Sequence, residues 1–254
     1  MKKVTILGSG TSTGVPLIGC GCSICLSENS KNKRTRASVF FTIDGKNILV
    51  DTSTDLRTQA IANSLSKVDA VLFTHKHADH IHGIDDLRAF NLRKEGAIPC
   101  YGNESTIDRV HQLFGYIFER LPGDGWKPSL ETEVVREEFF IEGLKVIPLE
   151  VEHGKDTIFG YRVGKAAYIT DCSGVPEETM EKLKGLDVLI LGALRHKPHP
   201  THFTITEATD VANKIGAKRT VFTHLSHDVE FEKENNALPD GIELAYDGLE
   251  IEFN

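Results

Sequence analysis

Four apolar residues, Ala70–Phe73, run directly into Thr74-His75-Lys76-His77-Ala78-Asp79-His80. So short an apolar run reads as a strand buried on both faces, which must be covered on either side. Three histidines and one aspartate within six positions then offer imidazole and carboxylate ligands from one loop. A loop lets alternate residues converge on one or two ions. A surface histidine cluster has no need to follow a buried strand so closely. A metal site is therefore expected here, provided that distant partners exist.

The rest of the chain alternates short β-rich runs with helical patterns. Strands are expected at Val4–Leu7, Val39–Ile43, Asn47–Val50, Lys145–Leu149, Ile158–Val163, Ala167–Ile169, Val188–Leu191 and Thr220–Phe222. Asp44-Gly45-Lys46 supplies a hairpin turn between the second and third of these. Helices are expected at Asp55–Asn63, Ser105–Leu113, Pro176–Leu183 and Ile205–Ile215. The last has Ile205, Ala208, Val211, Ala212 and Ile215 on one face, a Thr204/Glu207 capping box and a Gly216 stop. Gly115–Glu133 is the least regular stretch and reads as an excursion from the scaffold, either a lid, an oligomer contact or a loop pinned by its own aromatics. No Ser- or Pro-rich linker divides the 254 residues, so one domain spanning 1–254 is expected.

Composition excludes several classes. With 40% hydrophobic and 26% charged residues the chain belongs with soluble globular proteins. Its 37 acidic against 29 basic residues, a formal charge of −8, argue against sequence-blind nucleic-acid binding, which relies on Lys and Arg neutralising phosphates. Met1–Gly8 lacks the roughly 7–15 apolar residues of a secretory core, and no stretch approaches the roughly 20 of a membrane span. A cytoplasmic, reducing location is expected. Three of five cysteines crowd into Cys20-Gly21-Cys22-Ser23-Ile24-Cys25, too close for a disulfide framework, which leaves a metal site or chance.

Distant partners for the histidine loop are found by position. His153 follows the strand Lys145–Leu149, Asp171 follows Ala167–Ile169, and His224 follows Thr220–Phe222. Each is expected past the C-terminal end of a strand, where ligands of α/β architectures gather.

With these residues the sequence resembles the metallo-β-lactamase superfamily, whose hallmark is His-x-His-x-Asp-His followed by a distant His, an Asp and a final His. His75, His77, Asp79, His80, His153, Asp171 and His224 match all seven positions, and the likeness runs from the first strand to beyond Ser226. It implies an α/β fold of the αββα type, two mixed sheets face to face with helices outside. It also implies two divalent ions, zinc or manganese: one held by His75, His77 and His153, the other by Asp79, His80 and His224, with Asp171 bridging. A narrower resemblance is to the PhnP-like phosphodiesterases, which share an opening like Gly8–Pro16 and the element Gly19–Cys25. In that subgroup three cysteines and a late histidine hold a structural zinc, which implies Cys20, Cys22, Cys25 and His227. A histidine just ahead of a late helix assists leaving-group departure in the subgroup. Its match is His202, with His199 the competing choice.

The resemblance thus implies a metal-dependent phosphodiesterase for small, linear or cyclic substrates, with Asp79, Asp171 and His202 at the chemistry. No membrane and no stable nucleic-acid complex are expected as partners, and a homodimer is allowed. The rivals are a thioester or lactone hydrolase of the glyoxalase II kind, a tRNA-processing endonuclease and, least favoured, a metal or redox sensor. Gly8–Gly14 lacks the spacing of a dinucleotide or phosphate loop. Cys172 and Cys100 read as core thiols, and His111 and His196 as ordinary residues.

Overall fold

The computed structural model describes residues 2–93, 96–119 and 126–254. One sheet contains β1 (Lys2–Gly8), β2 (Ser38–Ile43), β3 (Lys46–Val50), β4 (Ala70–Leu72), β5 (Ile98–Gly102) and β6 (Leu130–Val134). The other contains β7 (Phe139–Ile141), β8 (Leu144–His153), β9 (Asp156–Val163), β10 (Ala166–Ile169), β11 (Val188–Gly192), β12 (Arg219–Thr223) and β13 (Ile242–Leu244). A last strand, β14 (Glu250–Glu252), returns to pair with β1. In each sheet antiparallel strands give way to parallel ones: β3 to β6 are parallel in the first, β10 to β13 in the second.

Three layers of apolar contact hold the sandwich together. Between the sheets lie Val39, Phe41 and Ile43 of β2 with Tyr161, Val163 and Tyr168 of the opposite sheet. Phe40, the alternate residue of β2, points to the outer face with Leu56, Ile107 and Val110, as the two-residue period of a strand demands. On the far side, Ile205, Ala208, Ala212 and Ile215 of one helix cover Leu189, Leu191 and Phe222. This is the expected αββα arrangement of two mixed sheets with helices outside. The Thr204/Glu207 capping box and left-handed Gly216 bound that helix as expected. Asp44 and Gly45 both take positive φ in the β2–β3 turn, which matches the twist of the paired strands.

Two expectations need correction. β8 does not stop at Leu149 but continues to His153, so His153 is the last residue of a strand rather than one beyond it. Exposed Glu150 and Glu152 alternate there with buried Val151 and His153, a strand end covered on one face that a search for apolar runs ends too early. The stretch Gly115–Glu133 is not wholly irregular: it contains the short helix Gly115–Phe118 and most of β6. Phe114 and Phe118 pack on the outer core, whereas Tyr116 and Trp126 are exposed; Pro122-Gly123-Asp124-Gly125 lies outside the described residues.

Candidate active site

The parallel strands of both sheets deliver their C-terminal ends to one edge of the sandwich. Thr74–His80 leaves β4 there, Asp171 lies just past β10, and His224 follows β12 directly. His153 arrives from the β8–β9 hairpin. Two hydrogen bonds cross between the sheets immediately beneath: Tyr161 Oη–H donates to the Phe73 carbonyl at 2.8 Å, and Phe159 N–H to the Thr74 carbonyl at 3.0 Å. The histidine loop is thereby tied to the opposite sheet at its first residues.

Seven side chains gather into two adjoining groups. His75, His77 and His153 form one; Asp79, His80, Asp171 and His224 form the other, the donor atoms within each lying within 4.8 Å of one another. Hydrogen bonds set which imidazole nitrogen each group receives. His153 Nδ1–H donates to the Thr201 carbonyl at 3.0 Å. His75 Nδ1–H donates to Thr74 Oγ1 at 3.0 Å, because that hydroxyl gives its own proton to Asp51 Oδ2 at 2.8 Å. His80 Nδ1–H donates to the same Asp51 oxygen at 2.7 Å. In all three the Nε2 lone pair is left for the group, the outer-shell arrangement that orients imidazole ligands.

Asp51 is the site residue that sequence reasoning missed. It is fully buried directly after β3, accepts from Thr74 N–H at 2.8 Å, and orients two of the histidines. Its signal was its place at the end of an apolar strand, the same rule that located Asp171 and His224. All three share a left-handed backbone, with φ of 65° at Asp51, 54° at Asp171 and 60° at His224. Such a conformation costs a non-glycine residue about 1–3 kcal/mol and collects where a site imposes it.

The chemistry of the donor set fits divalent ions. His80 Nε2 and both ring nitrogens of His224 are buried without a hydrogen-bond partner. His80 Nε2 nevertheless lies 3.1 Å from Asp79 and 3.3 Å from Asp171, and His224 Nε2 lies 3.1 Å from Asp171. His75 Nε2 and His77 Nδ1 approach to 2.9 Å. Burial pushes the His75 and His77 imidazoles down, towards the neutral form that binds a metal. Burial opposes charge on Asp79 and Asp171 too, yet the neighbouring histidines, His80 for Asp79 and His224 with His80 for Asp171, hold both carboxyls below the usual range. Burial likewise disfavours a charged His80, but Asp51, Asp171 and Asp79 together outweigh it and raise its pKa. So dense a set of carboxylates around one buried imidazole is a place for cations.

A third group lies behind His224. The sulfurs of Cys20, Cys22 and Cys25 lie 3.4, 3.6 and 3.7 Å from His227 Nδ1. Zinc bonds of about 2.3 Å to sulfur and 2.0–2.1 Å to nitrogen make a tetrahedral edge of about 3.6 Å, so the spacing fits a closed zinc shell. Hydrogen bonds from Cys25 N–H and with His227 lower the Cys22 thiol to about 6, towards the thiolate that binds metal.

Both candidate acids flank the first two groups, unequally. His202 Nδ1 is 3.7 Å from Asp171 Oδ1, and its ring lies 4.9 Å from that of His224 and 5.1 Å from that of His153. His199 packs against His202, ring to ring at 4.8 Å, and is held by Thr201. The loop is fixed beside Asp171 by the Phe203 N–H bond to the Cys172 carbonyl at 2.8 Å. Cys172 and Cys100 are buried core thiols, and His111 and His196 are exposed and bonded to Thr132 and Glu234.

Such a fold and such a donor set define a metallo-hydrolase, and comparison with known proteins narrows the class. The model of the β-lactamase superfamily domain matches residues 46–225. A crystal structure of a new diphosphatase from the PhnP family superposes with a TM-score of 0.93 and 47% identity, covering 99% of this chain and 97% of that one. An octanoyltransferase of Porphyromonas gingivalis is 41% identical over 253 residues, 98% of this chain but 51% of that protein; the chain spans about half of that relative's length. Zn(2+)-bound PqqB from Methylobacterium extorquens, at 23% identity and a TM-score of 0.80 over 99% of this chain and 100% of that one, shares the fold. The chain belongs to the metallo-β-lactamase superfamily and, within it, to the PhnP-like branch. No helix among the described residues is long and apolar enough to cross a membrane.

Proposed function

We propose that the protein is a metal-dependent phosphodiesterase, hydrolysing small linear or cyclic phosphodiesters in the cytoplasm. The observation that carries this reading is His202, held 3.7 Å from Asp171 and in ring contact with His153 and His224, one histidine from each adjoining donor group. A thioester hydrolase has no need of a proton donor at that point; an alkoxide leaving group does. The 47%-identical PhnP-family diphosphatase supports phosphorus chemistry.

His75, His77 and His153 would hold one zinc or manganese ion and Asp79, His80 and His224 the other, with Asp171 shared between them. Such ions, when bound, neutralise phosphoryl charge and lower the pKa of water towards about 7. Asp51 keeps His75 and His80 in the ligating tautomer. Burial holds His202 down to about 3, against the pull of Asp171 and with the added repulsion of His224, His153 and His199. It is therefore neutral in the resting protein, and an anionic phosphoryl group beside it favours the protonated form. The proton it takes up from solvent as substrate binds is then given to the departing oxygen, which returns His202 to its neutral form. Cys20, Cys22, Cys25 and His227 would hold a structural zinc.

The test is turnover of bis(p-nitrophenyl) phosphate and a panel of cyclic and linear phosphodiesters by protein of known metal content. The half-matched octanoyltransferase supports one second reading, hydrolysis of an acyl thioester. Octanoyl thioesters belong in the same panel. Metal-dependent turnover of thioesters alone overturns the phosphodiesterase reading.

A further inference from the structure

A cavity of about 170 Å³ opens beside His75, His77 and His153, walled by Lys76, Asn103, Ser105, Asp156 and Thr157. His202 does not line it. The His153 ring lines the cavity, lies 5.1 Å from His77, and lies 5.1 Å from the His202 ring outside it. A leaving group directed to His202 is thus directed to a residue outside the cavity, which leaves the cavity for the substituent retained on phosphorus.

The walls are rich in unused donors. Asn103 spends its oxygen capping the helix Glu104–Leu113, accepting from Thr106 N–H at 2.9 Å and Thr106 Oγ1–H at 2.7 Å. Its side-chain nitrogen makes no hydrogen bond among the described residues, so two N–H donors stay available. Among the described residues the Lys76 ammonium pairs with one carboxylate, Asp156, at 3.9 Å, beyond hydrogen-bond reach. The Thr157 hydroxyl adds a further donor.

We propose that this cavity is a subsite for an anionic, oxygen-rich group on the non-leaving side of the substrate, a phosphoryl or a carboxylate, recognised by Lys76 and Asn103. The inference rests on the phosphodiesterase reading above. It is tested with p-nitrophenyl phosphodiesters whose retained group is ethyl, carboxyethyl or phosphoethyl. The anionic members should be preferred, and Lys76→Met should lower the anionic-to-ethyl ratio of kcat/KM about tenfold, through KM, as loss of one charge-assisted hydrogen bond implies. The exposed Lys155 serves as a charge control: Lys155→Met should leave that ratio as it is. The stronger response of the two anionic esters to Lys76→Met identifies phosphoryl or carboxylate as the ligand. An unchanged ratio in Lys76→Met overturns the subsite. If no phosphodiester is hydrolysed, the parent reading fails on its own. The subsite is then read from binding of inorganic diphosphate to the metal-loaded protein by calorimetry: weaker binding to Lys76→Met supports it, and equal binding overturns it.

Discussion

The Arg34 guanidinium donates to the Ser226 carbonyl at 2.9 Å, midway along the segment that joins His224 to His227. Its Nη2 donates both to the Val229 carbonyl at 2.8 Å and to Asn32 Oδ1 at 3.1 Å, and its Nε donates to the Lys31 carbonyl at 3.3 Å. A nearly inaccessible arginine thus fixes the root of the cysteine loop against the one segment that serves both kinds of donor group. Arg34→Met keeps the apolar stem and strands two buried carbonyls, at a cost of about 2–4 kcal/mol. Urea denaturation measures this; a shift below about 0.5 kcal/mol would show that the clamp is idle.

Asp51 makes a second prediction. Asp51→Asn keeps the shape but removes the charge that faces Nδ1 of His80, and one of its two acceptor oxygens becomes a donor. Loss of such an orienting partner should weaken metal binding by about 10–100-fold. Competition with a chelator, followed by metal analysis, reads it directly. The circular dichroism spectrum should stay as in the parent.

That residue also marks where the sequence stopped being legible. The loop His75–His80 is unmistakable because its ligands are neighbours, and Asp171 and His224 stand out because each closes a clear apolar run. Asp51 closes one as well, but Asp51-Thr52-Ser53-Thr54-Asp55 has the composition of an ordinary turn. Its role comes from Thr74 and His80, more than twenty residues away, and no local pattern records that. The strands Ile242–Leu244 and Glu250–Glu252 were invisible for a different reason. Glutamate breaks the apolar run in both Ile242-Glu243-Leu244 and Glu250-Ile251-Glu252, and over three residues only pairing with β12 and β1 defines a strand.

Cys22→Ser should lower the melting temperature and remove about one zinc per chain, since a hydroxyl is a poor replacement for a thiolate in a closed tetrahedral shell. Elemental analysis alongside calorimetry decides the matter. Unchanged zinc content together with unchanged melting would eliminate the site.

His202→Ala should lower kcat by about 10²–10⁴-fold on diesters with poor alkoxide leaving groups, and much less on p-nitrophenyl esters, whose leaving group needs little protonation. Both active-site ions should remain. Equal losses on the two substrate types would point instead to phosphate binding. If His199→Ala carries the leaving-group dependence and His202→Ala does not, the proton comes from the other histidine.

The chain crosses from one sheet to the other between Val134 and Phe139, and every donor group draws on both sides of that crossing. His75 and His77 need His153; Asp79 and His80 need Asp171 and His224; the three cysteines need His227. Neither half of the polypeptide can assemble any of the three groups alone. An ion held by any of these groups would be a staple across the seam of the sandwich. A ligand that binds only the closed form adds about 2.7 kcal/mol to its stability at a free concentration one hundred times its dissociation constant. Metal loading at these groups would therefore double as proofreading of the fold, since a chain whose halves have not closed on each other leaves every donor set incomplete.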